Sequence, residues 1–483
     1  MSLNDQLCSP LTFRVLTDSQ ISDIYEVVLK ILNEVGAEIF HQEILDLLRE
    51  AGAKVEDNTV YFPNKLVEDG VASAPNGCNI YDRDGNQVMD LRGTNSFFGN
   101  GSDCPHILDH QTGERRKATV DDVEKIALVC DNLSNFDFVM PGAIPSDVPA
   151  NVADIYQFKA TISNTNKPVV FTSLSYEGTE TIIEMAKIAA GGRTELDNKP
   201  FIIPYIEPTS PLQVSREAAE KLLLCGNKGI PILFAPGPIS GASAPITMAG
   251  TMALHIAENL IGLVIVQLIR EGAPVVIGGC SSEMDMKTTI SPYSGPTFNL
   301  VNGGISDICN YLDLPMFGTA GSSDSKLVDE QATMEGAISS ISQLLSGANL
   351  IHDVGYLESG MTNSLEMLVI ENEVIDMARA IQRGVKVDPQ HLAFDVIQDV
   401  GPGGNYLSHK HTLDHFKNEH WEPELSNRQN FRSWVNDGKP TLKSVARDRV
   451  NTILDGSEAN SLEPHKASKI EDLLETKSRS KAR

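Results

Sequence analysis

Between about Phe136 and Leu407 the chain repeats one unit, a short apolar β-favouring run followed by a helical stretch. The runs are Phe136–Met140, Val169–Leu174, Phe201–Ile206, Ile230–Ala235, Pro274–Gly278, Met316–Thr319, Leu350–Val354 and Asn405–Leu407. Most end in residues that suit no packed core, such as Pro141-Gly142, Glu207-Pro208, Pro236-Gly237, Gly321-Ser322 and Gly355-Tyr356. Strands that alternate with helices form parallel sheets, because each right-handed crossover returns the chain in the same direction. The repeat therefore predicts an α/β fold, a closed (β/α)8 TIM barrel, whose chemistry sits on the loops after the strands.

A single core stops growing near 250–300 residues, so a chain of 483 residues needs further layers. Residues 1–135 lack the barrel rhythm and read as an N-terminal α+β cap layer. In it a helix ends at Gly36, a second spans Gln42–Ala51, and Ala53–Phe62 and Cys78–Leu91 read as hairpins. Thr119 is placed to cap a helix over Val120–Leu133. The barrel is assigned to 136–408, and 409–483 to a C-terminal helical extension with a weakly ordered polar tail. The long helix from Thr247 to Glu271 carries Ala249, Gly250, Ala253, Ala257 and Gly262, which permit close packing or a subunit interface.

Thirty-nine Lys+Arg against 65 Asp+Glu leave a formal charge of -26, which excludes nucleic acid and anionic membrane surfaces as partners. The longest apolar stretch, Ile256–Leu268, is broken by Glu258, Asn259 and Gln267, so no membrane span is expected. Seven scattered cysteines, Cys8 among them, form no CxxC pair, which points to a reducing, cytoplasmic setting.

His409, His411, His415 and His420 lie close together, with His411 and His415 at helical i, i+4 spacing. Lys410 and Lys417 sit among them, no HExxH motif occurs, and a solvated or capping role is the expected one. Cys280 and His352 at strand ends are too few for zinc, so no metal of the chain's own is expected. No GxGxxG or P-loop is present, and Gly401-Pro402-Gly403-Gly404 reads as a tight turn. None of the strand runs carries a lysine for a Schiff base, which disfavours aldolase chemistry.

Aromatics and acids are what the strand ends offer. Tyr205, Glu207, Phe234, Tyr293, Phe298, Asp324 and Tyr356 follow or close strand runs, and Phe98 in the cap layer is placed as a lid. Aromatic faces with acids suit a quaternary ammonium, which has no N–H to donate and is held by cation–π contact worth about 0.5–2 kcal/mol per face. For each ring taken alone, core packing is the simpler reading; the inference rests on the set.

Two long motifs carry a family resemblance. They are Gly318-Thr319-Ala320-Gly321-Ser322-Ser323-Asp324-Ser325-Lys326, with Asp329-Glu330-Gln331-Ala332 after it, and the run Ser346 to Gly360. The chain resembles the trimethylamine methyltransferase family over nearly its whole length. It has ordinary residues throughout, so it resembles the branch without pyrrolysine, and most closely the glycine betaine:corrinoid methyltransferases. The family position of pyrrolysine is placed at Asp324-Ser325-Lys326.

The resemblance implies transfer of a methyl group from a quaternary amine to cob(I)alamin, a cobalamin carried by a cognate corrinoid protein, by direct SN2 attack. No general acid is needed, because the leaving amine departs neutral. A homo-oligomer is also expected. Proline betaine and carnitine stand as alternative substrates. For a betaine carboxylate the donors proposed are His352, Lys326 and backbone N–H groups near Gly321. A lyase or aldolase barrel and a non-catalytic betaine binder are the competing readings.

Overall fold

The computed structural model describes residues 11–457 and 459–481; Cys8 and the rest of the first ten residues lie outside it. Among the described residues, eight strand segments close a parallel barrel. They are β1 (Phe97–Asn100), β2 (residues 138–139), β3 (Val169–Phe171), β4 (Ile202–Ile206), β5 (Ile232–Phe234), β6 (Val275–Gly278), β7 (Met316–Thr319) and β8 (Leu350–Val354). β2 touches its neighbours only through the bridges Gly99↔Phe138 and Val139↔Val169. The Asn100 side chain reinforces it, accepting from Met140 N–H at 2.8 Å and donating to Met140 C=O at 2.7 Å. Pairing of Leu350 with Phe97 closes the ring.

The barrel therefore starts one strand earlier than the apolar rhythm indicates. Phe97–Asn100, assigned to the cap layer from sequence, is β1, and the run Phe136–Met140 is the second strand. The expected eighth strand at Asn405–Leu407 is an exposed turn, with Leu407 83% exposed. A four-residue strand containing Gly99 and Asn100 has too little β propensity to be seen from sequence.

The helices α1 (Val120–Asp131), α2 (Ala153–Asn164), α3 (Tyr176–Ala190), α4 (Arg216–Lys228), α5 (Met248–Ile269), α6 (Pro296–Tyr311), α7 (Glu330–Ser346) and α8 (Leu365–Gln382) ring the strands. Thr119 caps α1 through a capping box with Asp122. The strand-end loops of the rhythm thus fall where expected, at one end of the barrel.

α5 is apolar on all sides and, at 22 residues, is long enough to cross a membrane, contrary to the sequence expectation. It is instead buried: the strands cover one face, and the helices Asp18–Lys30, Gln42–Glu50 and Asn64–Ser73 of the cap layer cover the other. Its Gly262 lies against the Phe234 ring, where a Cβ would come within 2.3 Å. The small residues thus serve packing inside the chain.

The barrel interior is filled by Phe97, Phe138, Met140, Val170, Ile203, Leu233, Val276, Phe317 and Leu350. Ile80, Met89 and Leu91 of the hairpin Asn79–Tyr81/Gln87–Asp90 join this cluster. Tyr81 N–H bonds Pro200 C=O, just before β4, so the hairpin plugs the N-terminal end. The C-terminal end stays open.

Beyond the barrel, Leu442–Gly456 packs on α8 and α1. The stretch expected to be a weakly ordered tail forms the helix Pro464–Lys481, which lies on α3 and α2 and buries Ile470 and Leu474. Its few apolar residues fall on one face, which composition alone conceals.

Candidate active site

Three carboxylates meet at the open end of the barrel. Asp103 follows β1, Glu207 follows β4, and Asp353 lies within β8. Asp353 sits at φ +68°, in the left-handed region that non-glycine residues rarely take, next to a break in the β8–β1 register between Ile351 and Val354. A regular strand would alternate this side chain away from His352; the irregular backbone brings it to the mouth.

Asp103 accepts hydrogen bonds from Ser102 Oγ at 2.7 Å and Thr172 Oγ1 at 3.1 Å, with Gln157 Nε2 at 3.5 Å. Its own N–H donates to Tyr356 Oη at 3.0 Å, which ties the β1 loop to the β8 loop. With Tyr205, Lys117 and Lys221, Asp103 and Glu207 line a cavity of about 670 Å³.

The electrostatics follow from this crowding. Burial pushes the Asp353 carboxyl up to about 8, and the negative charges of Asp103 and Glu207 add to the effect. Glu207 is pushed up to about 7, first by burial and then by Asp103, with Lys221 opposing. Asp103 is raised as well, again mainly by burial. Asp103 and Glu207 face the cavity and are reached by water, which tempers their shifts, whereas Asp353 is only 6% exposed. Lys221 offsets the shift of Glu207 only in part, so the acids stay raised.

Aromatic groups surround the acids. Tyr205 meets Phe317 edge-on with centroids 5.8 Å apart, and Phe317 stacks on His352 at 3.8 Å. His352 donates from Nδ1 to Gly318 C=O at 2.8 Å, and burial lowers its pKa to about 3, so the ring is neutral. Its Nε2 lies 3.4 Å from Asp353 Oδ1 and is an acceptor, which a protonated Asp353 satisfies. Tyr293 stacks over Phe298 at 6.2 Å, with its hydroxyl against the Cys280 thiol. Tyr205, Tyr293 and Tyr356 are all raised well above the usual phenol range. They remain neutral and present rings and hydroxyls.

Of the residues singled out from sequence, Tyr205, Glu207, Tyr293, His352 and Tyr356 come together here. Phe298 backs Tyr293 from α6 and is 1% exposed. Four lie elsewhere. Phe98 is no lid: it is fully buried on β1, facing outward beneath the Arg379 guanidinium at 5.7 Å. Phe234 also points outward, onto Gly262 of α5. In both strands the neighbours Phe97 and Leu233 take the inward positions, and side chains alternate with period two.

Asp324 is a clasp, accepting from Tyr293 N–H, Ser294 Oγ and Ser359 Oγ at 2.7–2.9 Å. Lys326 is exposed and bonds the Asp324 carbonyl. The donors proposed for a substrate carboxylate are accordingly displaced, since Gly321 N–H already bonds Ser339 Oγ. Lys221, whose Nζ bonds Ser173 C=O at 2.7 Å, and Lys117 are the cations that line the cavity.

Asp103, Asp353, Lys117 and Lys221 were not foreseen. Asp103 lay in the stretch assigned to the cap layer. Asp353 lay inside a strand run, where parity turns a side chain outward. The outward placement of Phe234 yields a prediction. Tyr205→Leu should raise KM about tenfold, the worth of one desolvated cation–π face. Phe234→Leu should leave KM unchanged and cost about 1–1.5 kcal/mol of stability. Steady-state kinetics and denaturant unfolding of both variants check it, and equal KM changes would contradict it.

Fold and site together define a TIM barrel whose open end gathers three raised acids among aromatic rings. A family model for trimethylamine methyltransferase (MTTB) matches residues 7–482. The trimethylamine methyltransferase MttB of Desulfitobacterium hafniense is 32% identical over 95% of this chain and 93% of its own. The glycine betaine methyltransferase of the same species is 30% identical over 96% of each chain. The crystal structure of the monomethylamine methyltransferase MtmB of Methanosarcina barkeri shares the fold, with TM-score 0.54 and 14% identity over 92% of this chain and 89% of that one. The chain belongs to the trimethylamine methyltransferase family.

Proposed function

We infer that the chain demethylates a quaternary amine, glycine betaine in the first instance, passing the methyl group to a corrinoid carried by a partner protein. The observation that carries this is the convergence of Asp103, Glu207 and Asp353 with tyrosine rings, the acids raised by burial despite Lys221. A trimethylammonium adds positive charge beside these acids, makes no hydrogen bonds, and suits rings that stay neutral. Lys221 and Lys117 on the cavity wall suit a carboxylate at the other end of the same molecule.

The loops around the mouth fit a broad, largely apolar macrocycle. Leu174 after β3, Ile246 after β5, Met286 after β6, Leu327 after β7 and Met361 after β8 are each 45–70% exposed. When bound there, reduced cobalt supplies the nucleophile. The chain's residues do the rest: the acids hold the cationic nitrogen, the rings exclude water, and the closed barrel floor fixes the methyl groups toward the mouth. No proton has to move to the leaving amine.

The helical arm after α8 exposes Val385, Phe394, Leu407, Leu413 and Phe431, which supports self-association. Free cysteines and the acidic surface support a cytoplasmic setting.

The test is dimethylglycine formation from glycine betaine with cob(I)alamin as acceptor. Turnover of glycine betaine but not trimethylamine is expected, since trimethylamine lacks the carboxylate that Lys221 and Lys117 suit, and its unprotonated form loses both charge attraction and leaving ability. Turnover of trimethylamine at an equal rate would overturn the reading. Turnover should also survive dialysis against a chelator, because an activated ammonium needs no Lewis acid; loss restored by added metal would show otherwise.

Protonation gives a further prediction. Folded-state pKa values of about 8 for Asp353 and about 7 for Glu207 lie above the unfolded carboxyl values. The folded chain then binds more protons, so these acids contribute stability in full below pH 4 and lose it as pH rises toward 8. A bound cation favours the ionised acids. The rise in Tm on adding glycine betaine should therefore be larger at pH 8 than at pH 6, by scanning calorimetry. A shift that shrinks with pH would remove the acids from the cation's contact.

A further inference from the structure

The arm that follows α8 has no core. Its helices Pro389–Leu392, Phe394–Val400, Lys410–Glu419 and Phe431–Asn436 contain no buried residue. Segments this short hold a fixed geometry when something cross-links them, and a metal is one such link. Side chains from the first and third of these helices converge. His391, His415 and Glu419 each offer one ligand atom, all within 4.8 Å of one another.

The hydrogen bonds around His391 show which atom is free. Its Nδ1 lies 2.7 Å from Asp388 Oδ2. Asp388 is itself fixed as the cap of the short helix, its Oδ1 accepting from the N–H groups of Gln390 and His391 at 2.9 Å. Nδ1 therefore carries the proton, and Nε2 turns a lone pair toward Glu419 Oε1 at 3.6 Å. Two acceptors that face each other need a cation between them, either a second proton or a metal ion.

A second imidazole favours the metal. His415 closes the triangle, and a His-His-carboxylate set with a carboxylate behind one histidine is a donor set that borderline divalent ions take. His411, one turn earlier, lies 4.3 Å from the His415 ring with its Nε2 buried and without a hydrogen-bond partner. The lysines that argued against a metal from sequence are accounted for. Lys410 is paired with Asp414 at 2.6 Å, and Lys417 lies over the Phe416 ring.

We propose that His391, His415 and Glu419 bind one divalent transition-metal ion, zinc as the test case, which clamps the helix Lys410–Glu419 to the turn at Asp388–Leu392. None of these residues lines the cavity at the barrel mouth, so the clamp is structural and separate from methyl transfer. The i, i+4 pair His411/His415 drew attention in the sequence; the partner that completes the site, His391, lies too far along the chain for spacing to reveal it.

The experiment uses the full-length chain without an affinity tag, stripped by chelator. Zinc is titrated against a chromophoric competitor, and hydrogen exchange is followed with and without zinc. One zinc per chain is expected, with slowed exchange confined to 388–420. Combined His391→Ala and His415→Ala should weaken binding at least about 100-fold, and Asp388→Asn about 10- to 100-fold. Equal zinc uptake by the wild type and the double variant overturns the proposal. So does zinc binding that leaves exchange in the helix Lys410–Glu419 unchanged, because the site would then clamp nothing.

Discussion

Asp353→Asn is expected to raise KM for the quaternary amine about tenfold at pH 7 and about 100-fold at pH 9, with kcat held or slightly increased. At ~6 Å and an effective dielectric of ~20, one full negative charge attracts the ammonium by about 3 kcal/mol. Burial and the neighbouring acids raise the Asp353 carboxyl to about 8, so part of that attraction is spent on removing its proton at pH 7. One unit of pKa costs about 1.4 kcal/mol, and at pH 9 the cost is gone. The gap between wild type and variant therefore widens with pH.

The effect falls on KM because, in the proposed reaction, the nitrogen loses its positive charge as the amine departs. A carboxylate thus stabilises the bound substrate at least as well as the transition state. Asparagine tolerates the +68° backbone of this position, so the variant should fold. Steady-state kinetics at the two pH values decide the matter. A fall in kcat with KM unchanged would give Asp353 a part in the chemical step instead of in holding the cation.

How much of this was legible beforehand divides along physical lines. Seven of the eight runs in the apolar rhythm are barrel strands, because a strand buried on both faces must be apolar along its length, as Leu350–Val354 shows. The two errors, β1 and Asn405–Leu407, fall where that signal fails. Phe97–Asn100 pairs on both sides yet carries only two apolar side chains, and Asn405–Leu407 has some apolar character but nothing to pack against.

The candidate site was legible in kind but not in membership. Tyr205 lies near the end of a well-marked strand and Glu207 follows it, so their place at the barrel mouth could be read from position. Phe98 and Phe234 were separable from them only by counting strand parity, inward at Phe97 and Leu233 and outward at the next residue. Asp353 defeats even parity, since a left-handed residue inside a strand leaves no mark in the sequence when the residue is not glycine. Asp103 needed β1 to be recognised first. Lys221 comes from the middle of α4, where a lysine reads as a solvated helix face.

The same loop that carries Asp103 supplies the second large effect. Gly101→Ala is expected to lower kcat/KM at least about 100-fold while the chain stays folded. A Cβ at Gly101 would stand 2.2 Å from the Tyr356 ring and 2.4 Å from Asp353 Oδ1, far inside contact distance. Neither neighbour has room to move freely: Tyr356 is 4% exposed and anchors Asp103 N–H through its hydroxyl. The added methyl must therefore push the ring, the carboxylate or the β1 loop aside. Any of the three separates groups proposed to hold the substrate cation, and displacement of about 1 Å in a reacting geometry costs about 100-fold. The strain is confined to the mouth, because β1 itself is held by pairing with β8 and by the Asn100 bonds to Met140. Unfolding curves and kcat/KM, measured together, give the answer. A variant with wild-type turnover would mean that Tyr356 and Asp353 can part without consequence, and that the methyl-bearing nitrogen is held elsewhere in the cavity.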